Sequence, residues 1–329
     1  MKTKLEWLLK GSSEKNAPLT PPRRGTTSSA RYSAPLWGGV GGGSTDNAIW
    51  KFIMAISPIH LILLGAFAGS PVLAQTNSPA GDTQASGDEM GELATKLNNP
   101  TASLISVPLQ SNFDFGGGPN DNGFQYRLNI QPVIPFKLNE DWKILSRTIL
   151  PYIHQEDRIG TSSQSGLADT SLTLWLSPEK DRPGKPIWAF GPVFHLPTAT
   201  DDLLGTEKWG AGPSLILLRQ TRGWTYGALM SHTWSFAGES GRQDVSGTFL
   251  QPFVAYQTRT HTTFTINSET TYDWENEEWT IPLNALITQL VRIGKMPVSF
   301  QFGGRYYAEK PSGGPDWGLR FTVTLVFPE

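Results

Sequence analysis

From Leu104 to the end, this 329-residue chain divides into about twelve segments of roughly 10 to 12 residues, rich in aromatic and β-branched side chains and separated by Gly, Pro, Asn and Asp clusters. Several alternate with a period of two. Tyr126, Leu128 and Ile130 oppose Gln125, Arg127, Asn129 and Gln131, while Leu172, Leu174 and Leu176 oppose Asp169, Ser171 and Thr173. Phe264 and Ile266 oppose Thr265, Asn267 and Glu269, and Val298, Phe300 and Phe302 oppose Ser299, Gln301, Gly303 and Arg305. In the closing "WGLRFTVTLVFPE", Leu319, Phe321, Val323, Leu325 and Phe327 alternate with Arg320, Thr322, Thr324 and Val326. Successive side chains of a strand point to opposite faces, so each segment has one oily and one polar side. The chain is all-β.

A soluble sandwich also alternates, so segment length and end chemistry must decide. A strand that crosses a bilayer at a tilt needs about 9 to 11 residues, more than the usual soluble strand. Trp142, Trp188, Trp209, Trp224, Trp234, Trp279 and Trp317 stand at or next to segment ends, where an interfacial girdle lies, rather than in segment middles. The connections alternate too. "KLNED", "RQTRG", "QTRTH" and "RIGKM" are short and mainly basic, whereas "GGGPNDNG", "QEDRIGTSSQSG", "PTATDDLLGTEK", "AGESGRQDVS", "DWENEE" and "EKPSGGPD" are mostly longer and more acidic, with "SPEKDRPGK" a long member of the short set. Short turns opposite longer loops, with an even strand count, predict a transmembrane antiparallel β-barrel of about 12 strands, of outer-membrane type, with both termini on the periplasmic side. The mean hydropathy of -0.28 is no objection, because only alternate residues of such strands meet lipid.

Composition removes other classes. A net charge of -2 offers no basic surface for nucleic acid. The absence of cysteine excludes thiolate metal sites, disulfides and cysteine nucleophiles, and no cofactor is expected.

The strongest apolar run, "FIMAISPIHLILLGAFAGSPVLAQ" at 52–75, reads as a secretory signal within residues 51–74, cleaved between Ala74 and Gln75 with Val72 at minus three. An anchoring helix is the alternative, but the unbroken core Ile59 to Ala68 is well short of the roughly 20 residues a span needs. Residues 1–50 carry no period or motif and are expected to be a mis-called extension, with translation starting near Met54. Residues 75–103 are expected to form a polar periplasmic leader with one short helix at 88–98, stopped by Pro100, with Met90, Leu93 and Leu97 on one face. Packing against the barrel mouth and plugging it both remain open, with simple docking the plainer reading. The barrel itself is expected over 104–329. Prolines inside strands, as in "IQPVIPF", "TILPYI", "LQPFVAY" and "TIPLNA", fit poorly, since a central strand loses a ladder donor at each; bulges would accommodate them.

The stretches "ELATKLNNPTASLISVPLQSNFDF", "LNIQPVIPFKLNEDWKILSRTILPYI", "GPVFHLPTATDDLLGTEKWGAGPS", "WTYGALMSHTWSFAG", "FLQPFVAY" and "TYDWENEEWTIPLNALITQLV" together resemble the outer-membrane transporter family labelled MetA-pathway of phenol degradation, whose members often carry the misleading name neuromedin U. The likeness runs from about Glu92 to Phe327. It implies a barrel in a Gram-negative-type outer membrane that passes small, possibly aromatic, solutes, with the lipid of that membrane and the barrel-assembly machinery as partners.

If the alternation holds, Arg127, Arg147, Asp169, Glu269, Arg305 and Arg320 line a lumen with both signs of charge, available for selectivity or pairing with each other to fill a narrow interior. Leu128, Ile130, Leu172, Leu174, Phe300, Phe302, Phe321, Val323, Leu325 and Phe327 are expected to face lipid. "DWENEE" reads as a solvated acidic loop rather than a cation site, because its spacing is not that of an EF-hand, and Asp201 and Asp202 of "TATDD" read the same way. Ser231 and His232 raise a lipid hydrolase, yet adjacent strand residues point to opposite faces and cannot easily share a proton. A non-conducting structural or surface-binding barrel is the remaining alternative to transport. The closing aromatic Phe327 resembles an assembly signal, although Pro328 and Glu329 follow it.

Overall fold

The computed structural model describes residues 80–180 and 184–327, with side chains from residue 89 onward. The signal, its cleavage point at Ala74 and Gln75, and the 1–50 extension lie outside the described residues.

One helix, α1 (Ala80–Leu97), precedes fifteen strand segments: β1 (Ile105–Phe115), β2 (Phe124–Ile130), β3 (Val133–Lys137), β4 (Trp142–Glu156), β5 (Ser163–Leu167), β6 (Thr170–Pro178), β7 (Ile187–Leu196), β8 (Lys208–Thr221), β9 (Trp224–Gly238), β10 (Ser246–Gln257), β11 (Thr262–Ser268), β12 (Thr270–Asp273), β13 (Glu278–Ile293), β14 (Met296–Glu309) and β15 (Trp317–Phe327). Three pairs form one interrupted crossing each, β2 with β3 and β11 with β12 sharing both neighbours and β5 with β6 sharing β4, which leaves twelve. Each crossing pairs antiparallel with the next, and β15 pairs with β1 from Trp317 opposite Phe115 to Phe327 opposite Ile105. The sheet closes on itself, so no edge is left unpaired.

The prolines explain the interruptions. The carbonyl of Pro108 accepts from Gln131 N (2.9 Å) where β2 gives way to β3, that of Pro151 accepts from Ala168 N (2.9 Å) between β5 and β6, and that of Pro282 accepts from Glu269 N (3.3 Å) between β11 and β12. Each proline keeps its acceptor in the ladder and lacks the donor, so the neighbouring strand loses one bond at that height. The Pro151 and Pro282 sites each insert a residue: Tyr152 opposes Leu167 but Ile149 opposes Ser171, a bulge at Ala168 and Asp169, while Pro282 opposes Tyr307 but Ile281 opposes Glu309, a bulge at Ala308.

The end that carries β1's start and β15's finish has tight turns, including Arg222–Gly223, where both residues have positive φ and the glycine meets that demand without a Cβ penalty. The opposite end carries the longer loops, the largest being 197–207. Helix α1 begins at Ala80, upstream of the expected 88–98; no proline interrupts the backbone between Pro79 and Pro100.

Candidate functional site

Register sorts the side chains into an outside and an inside. Leu172, Leu174, Leu128, Ile130, Phe300, Phe302, Phe321, Val323, Leu325 and Phe327 share the outer face by parity. Around them the wall leaves large apolar side chains uncovered, among them Phe190 at 53 %, Leu217 at 51 % and Ile266 at 63 % exposure. A soluble monomer rarely exposes a continuous apolar surface of this extent. Aromatics close the band at both rims. Trp142 meets Trp188 (5.9 Å between centroids) and Trp224 meets Tyr256 (4.8 Å) at the short-turn end, while Tyr272 contacts Trp274 and Trp279 and Phe115 stacks on Trp317 at the long-loop end.

The inside has two unlike walls. The first is polar, built by β11 to β15, β1 and β2. Glu269, at the Pro282 interruption, accepts two bonds from Arg320 (2.7 Å each) and one from Arg305 (2.8 Å). Arg320 also donates to Asn112 (2.7 Å), and Arg305 to Asn284 (2.9 Å) and Tyr307, with Asp114 3.6 Å away. Arg320 and Arg305 are 3 % and 10 % exposed at the side chain, Glu269 19 % and Asp114 5 %. Two guanidiniums and two carboxylates neutralise one another in a nearly dry setting. Three of the six candidate lumen charges therefore pair, as a narrow interior demands. A glutamine ladder continues this wall toward the long loops, Gln125 donating to Gln155 and Gln155 to Gln164. Arg127 stands beside it and reaches Gln125 at 3.5 Å.

The second wall, on β4 to β10, is apolar: Leu145, Trp175, Ile187, Ala189, Ile216, Leu218 and Leu229 form one cluster, with Phe249 and Phe253 packed against it. Inside this wall Trp175 is anchored by a bond from Nε1 to Ser214 Oγ (2.9 Å). Outward parity in β8 belongs to Leu215 and Leu217, so Ile216 and Leu218 are a second apolar row that alternation alone does not separate.

Between the walls lies a cavity of about 310 Å³, and α1 with the turn after it forms its floor. Met90, Leu93 and Ala94 pack with Ala102, Leu104, Leu290 and Val326, so Val326, in the polar row of the last strand, is the apolar seat of the helix. Polar bonds tie the floor to the far side. Gln257 donates to Gly91 O (2.9 Å), Gln220 to Thr95 O (3.0 Å), and Arg292 pairs with Glu89 (3.0 Å). The helix does more than dock beside the mouth, because Asn98, Asn99, Pro100 and Ala102 border the cavity from below. Arg147 lines this cavity, with Nη2 2.7 Å from Gln131 Oε1.

A second cavity of about 660 Å³ opens among the long loops, lined by Thr271, Asp273, Glu278, Thr280, Arg242 and Asp244 among others. Glu269 sits between Asn267 of the lower cavity and Thr271 of the upper on the same crossing, so the charge network lies at the height between them. Asp169, which sequence places among free lumen charges, holds a loop instead. It accepts from Thr206 N (2.6 Å), Thr206 Oγ1 (2.8 Å), Ala199 N (3.2 Å) and His195 (3.2 Å), folding 197–207 inward so that Leu204 packs on Ile153 and Ala168. Arg242 donates to the carbonyls of Asp202 and Gly205 from the next loop. Asp244, on that loop, is held below the ordinary carboxylate range by hydrogen bonds from Lys208 and then Ser235.

The remaining candidates have local explanations. Asp273 of "DWENEE" accepts from the backbone of Glu275 and Asn276, an Asx turn, and Asp201 accepts from Leu203 N. Ser231 pairs with Phe249 on the inner face while His232, opposite Thr248, bonds its hydroxyl on the outer face (2.7 Å), so the two share no proton.

A sequence profile of the family described as "Putative MetA-pathway of phenol degradation" matches residues 112–326. Among solved structures, the COG4313 outer membrane channel from Pseudomonas putida F1 superposes with a TM-score of 0.55 at 13 % identity, covering 68 % of this chain and 96 % of the other. The KdgM porin in complex with disordered oligogalacturonate gives 0.37 at 10 % identity, covering 68 % and 99 %. No protein of curated function matches the sequence.

Proposed function

Because the chain belongs to the family described by that profile, and closes a twelve-stranded wall that is apolar outside and part polar, part apolar within, we propose that it is a channel of a Gram-negative-type outer membrane passing small solutes. The observation that carries this reading is the two-cavity interior enclosed by an apolar, aromatic-rimmed surface. The short-turn end and both strand termini then face the periplasm, and the loops around the larger cavity face outward. Solutes enter between the outer loops, pass the height of Glu269, and reach the lower cavity, whose floor must yield or be skirted for passage to the periplasm. Arg127, Arg147, Arg305, Arg320 and Glu269 are the charges met on the way. The outer row contacts lipid through Leu128, Ile130, Leu172, Leu174, Phe300, Phe302, Phe321, Leu325 and Phe327, whereas Val323 on the same row is covered by its neighbours at 2 % exposure, contrary to expectation; the barrel-assembly machinery inserts the chain. The solved relative with the same fold is described as an outer membrane channel, and the Thr206, His195 and Asp169 contacts hold the 197–207 loop, so no reaction is assigned.

Conductance of the protein extracted from outer membranes and reconstituted in a planar bilayer tests the reading. Discrete current steps and solute-driven liposome swelling are expected. A heat-modifiable barrel that passes neither current nor solute would overturn transport and leave a structural barrel.

A further inference from the structure

Two inward arginines of the polar wall hold a carboxylate, Arg305 and Arg320 on Glu269, and Arg127, bonded to Gln125, has the Asp114 charge diagonally across β1 and β2. Arg147 is different. Its recorded bond is to the neutral amide of Gln131, and no carboxylate of the described residues comes within ion-pair distance of it. Glu269 acts on it only from farther off, and that carboxylate is already held by two guanidiniums. A guanidinium carries five donors in a flat fork, and a half-buried one left without a counter-charge is costly. The cavity before it contains no Asp or Glu; its other cation, Lys96, is paired with Glu92 (3.0 Å).

Beside that cation stands an oily surface. Arg147 opposes Thr173 and Leu145 opposes Trp175, so the Trp175 ring is on the same inner face one diagonal step away, with Leu229 and Phe253 lining the cavity further round. Amides and hydroxyls of Gln110, Gln301 and Thr322 close the opposite side. At about 310 Å³ the space is at the low end of small-molecule pockets, fit for one ring-sized solute and not for a chain of sugars.

We propose that the lower cavity is a binding site for a small monocarboxylate with an apolar, ring-sized body, its carboxylate on the Arg147 fork and its body against Trp175, Leu229 and Phe253. The site rests on the channel reading only for its biological use, since binding stands or falls without any current. The ligand's carboxylate supplies the counter-charge that the lumen withholds from Arg147, and its body gives the inward Trp175, Leu229 and Phe253 something to cover.

The test uses benzoate and its uncharged isostere benzamide, titrated calorimetrically into membrane-extracted protein in a neutral maltoside detergent, with KCl conductance measured on the same preparation. Benzoate is expected to bind at least about tenfold more tightly than benzamide, as a charge-assisted pair requires. Arg147→Gln should lose that margin while leaving benzamide binding in place, Arg147→Lys should keep part of it, and Trp175→Leu should weaken both ligands together. Heat-modifiable mobility establishes that each variant is folded, and Arg147→Lys keeps the charge should the glutamine variant fail to assemble. Equal affinity for the two ligands, no benzoate binding by a conducting barrel, or an unchanged margin in Arg147→Gln would overturn the site. Conducting protein without the site leaves the channel reading standing; benzoate binding without current keeps the site and removes the channel.

Discussion

The polar wall and the apolar wall of this barrel enclose the same lumen and solve opposite problems. On β11 to β15 and β1, charges are brought inward and then cancelled, Glu269 against Arg305 and Arg320, so that the wall is polar without presenting much net charge. On β4 to β10 the inward row is Leu145, Trp175, Ile216 and Leu218, which needs no cancelling and hydrogen-bonds only through Trp175. The difference teaches that charged residues in a lumen are not thereby selectivity residues. Burial obliges them to pair, and a cation left over, as Arg147 is, carries more information than three that agree.

That contrast can be broken by mutation. The largest effect is expected from Glu269→Ala, which leaves the buried Arg320 without a carboxylate and Arg305 with only Asp114, and should destabilise the barrel by about 3–5 kcal/mol, read as a lower urea midpoint in detergent; a shift under 1 kcal/mol on the scale of exposed pairs would mean that water reaches the network. On the other wall, Leu145→Ala removes a fully covered side chain and should cost about 2–4 kcal/mol by the same measurement with no change in ion selectivity. Trp175→Phe keeps most of the ring surface and loses the bond to Ser214, which should cost about 1–2 kcal/mol and leave Ser214 with its bond to the Met230 carbonyl alone. The smallest effect belongs to an ion pair outside both walls, Lys208 with Asp244 (2.9 Å), whose carboxylate is exposed. Its folded-state acidity is strengthened, so the contribution it makes is present above the unfolded carboxylate range and lost as pH falls through the lower folded value. Amide protection in the 239–245 loop, measured against the intrinsic exchange rate at each pH, should therefore fall on acidification, and Asp244→Asn should abolish that pH response while sparing the barrel.

Much of the wall was legible in the residues because a closed sheet with lipid on one side enforces period two. Twelve crossings, the aromatic rims and the inward parity of Arg127, Glu269, Arg305 and Arg320 follow from that. The inner apolar wall did not, because in "SLILLR" both parities are oily and nothing local says which row meets lipid. Trp175 shows the same limit from the other direction, being the tryptophan of a segment middle that turns inward. Asp169 was expected among lumen charges, but its role as a loop holder was not legible, since its partners Thr206 and Ala199 come from a loop some thirty or more residues away in the chain. Prolines read as a difficulty prove to mark the heights at which neighbouring crossings break, and one of those breaks presents Glu269.

The floor segment also has a mechanical side. A ring of twelve tilted strands has no internal bracing and can flatten into an ellipse at little cost to its ladder. Here α1 is fastened to β13 and β15 through Leu290, Arg292 and Val326, and to β8 and β10 through Gln220 and Gln257. It is a spoke across the short-turn end, from β15 to β8 on the far side of the ring, and a barrel without it would keep its circumference while losing its roundness.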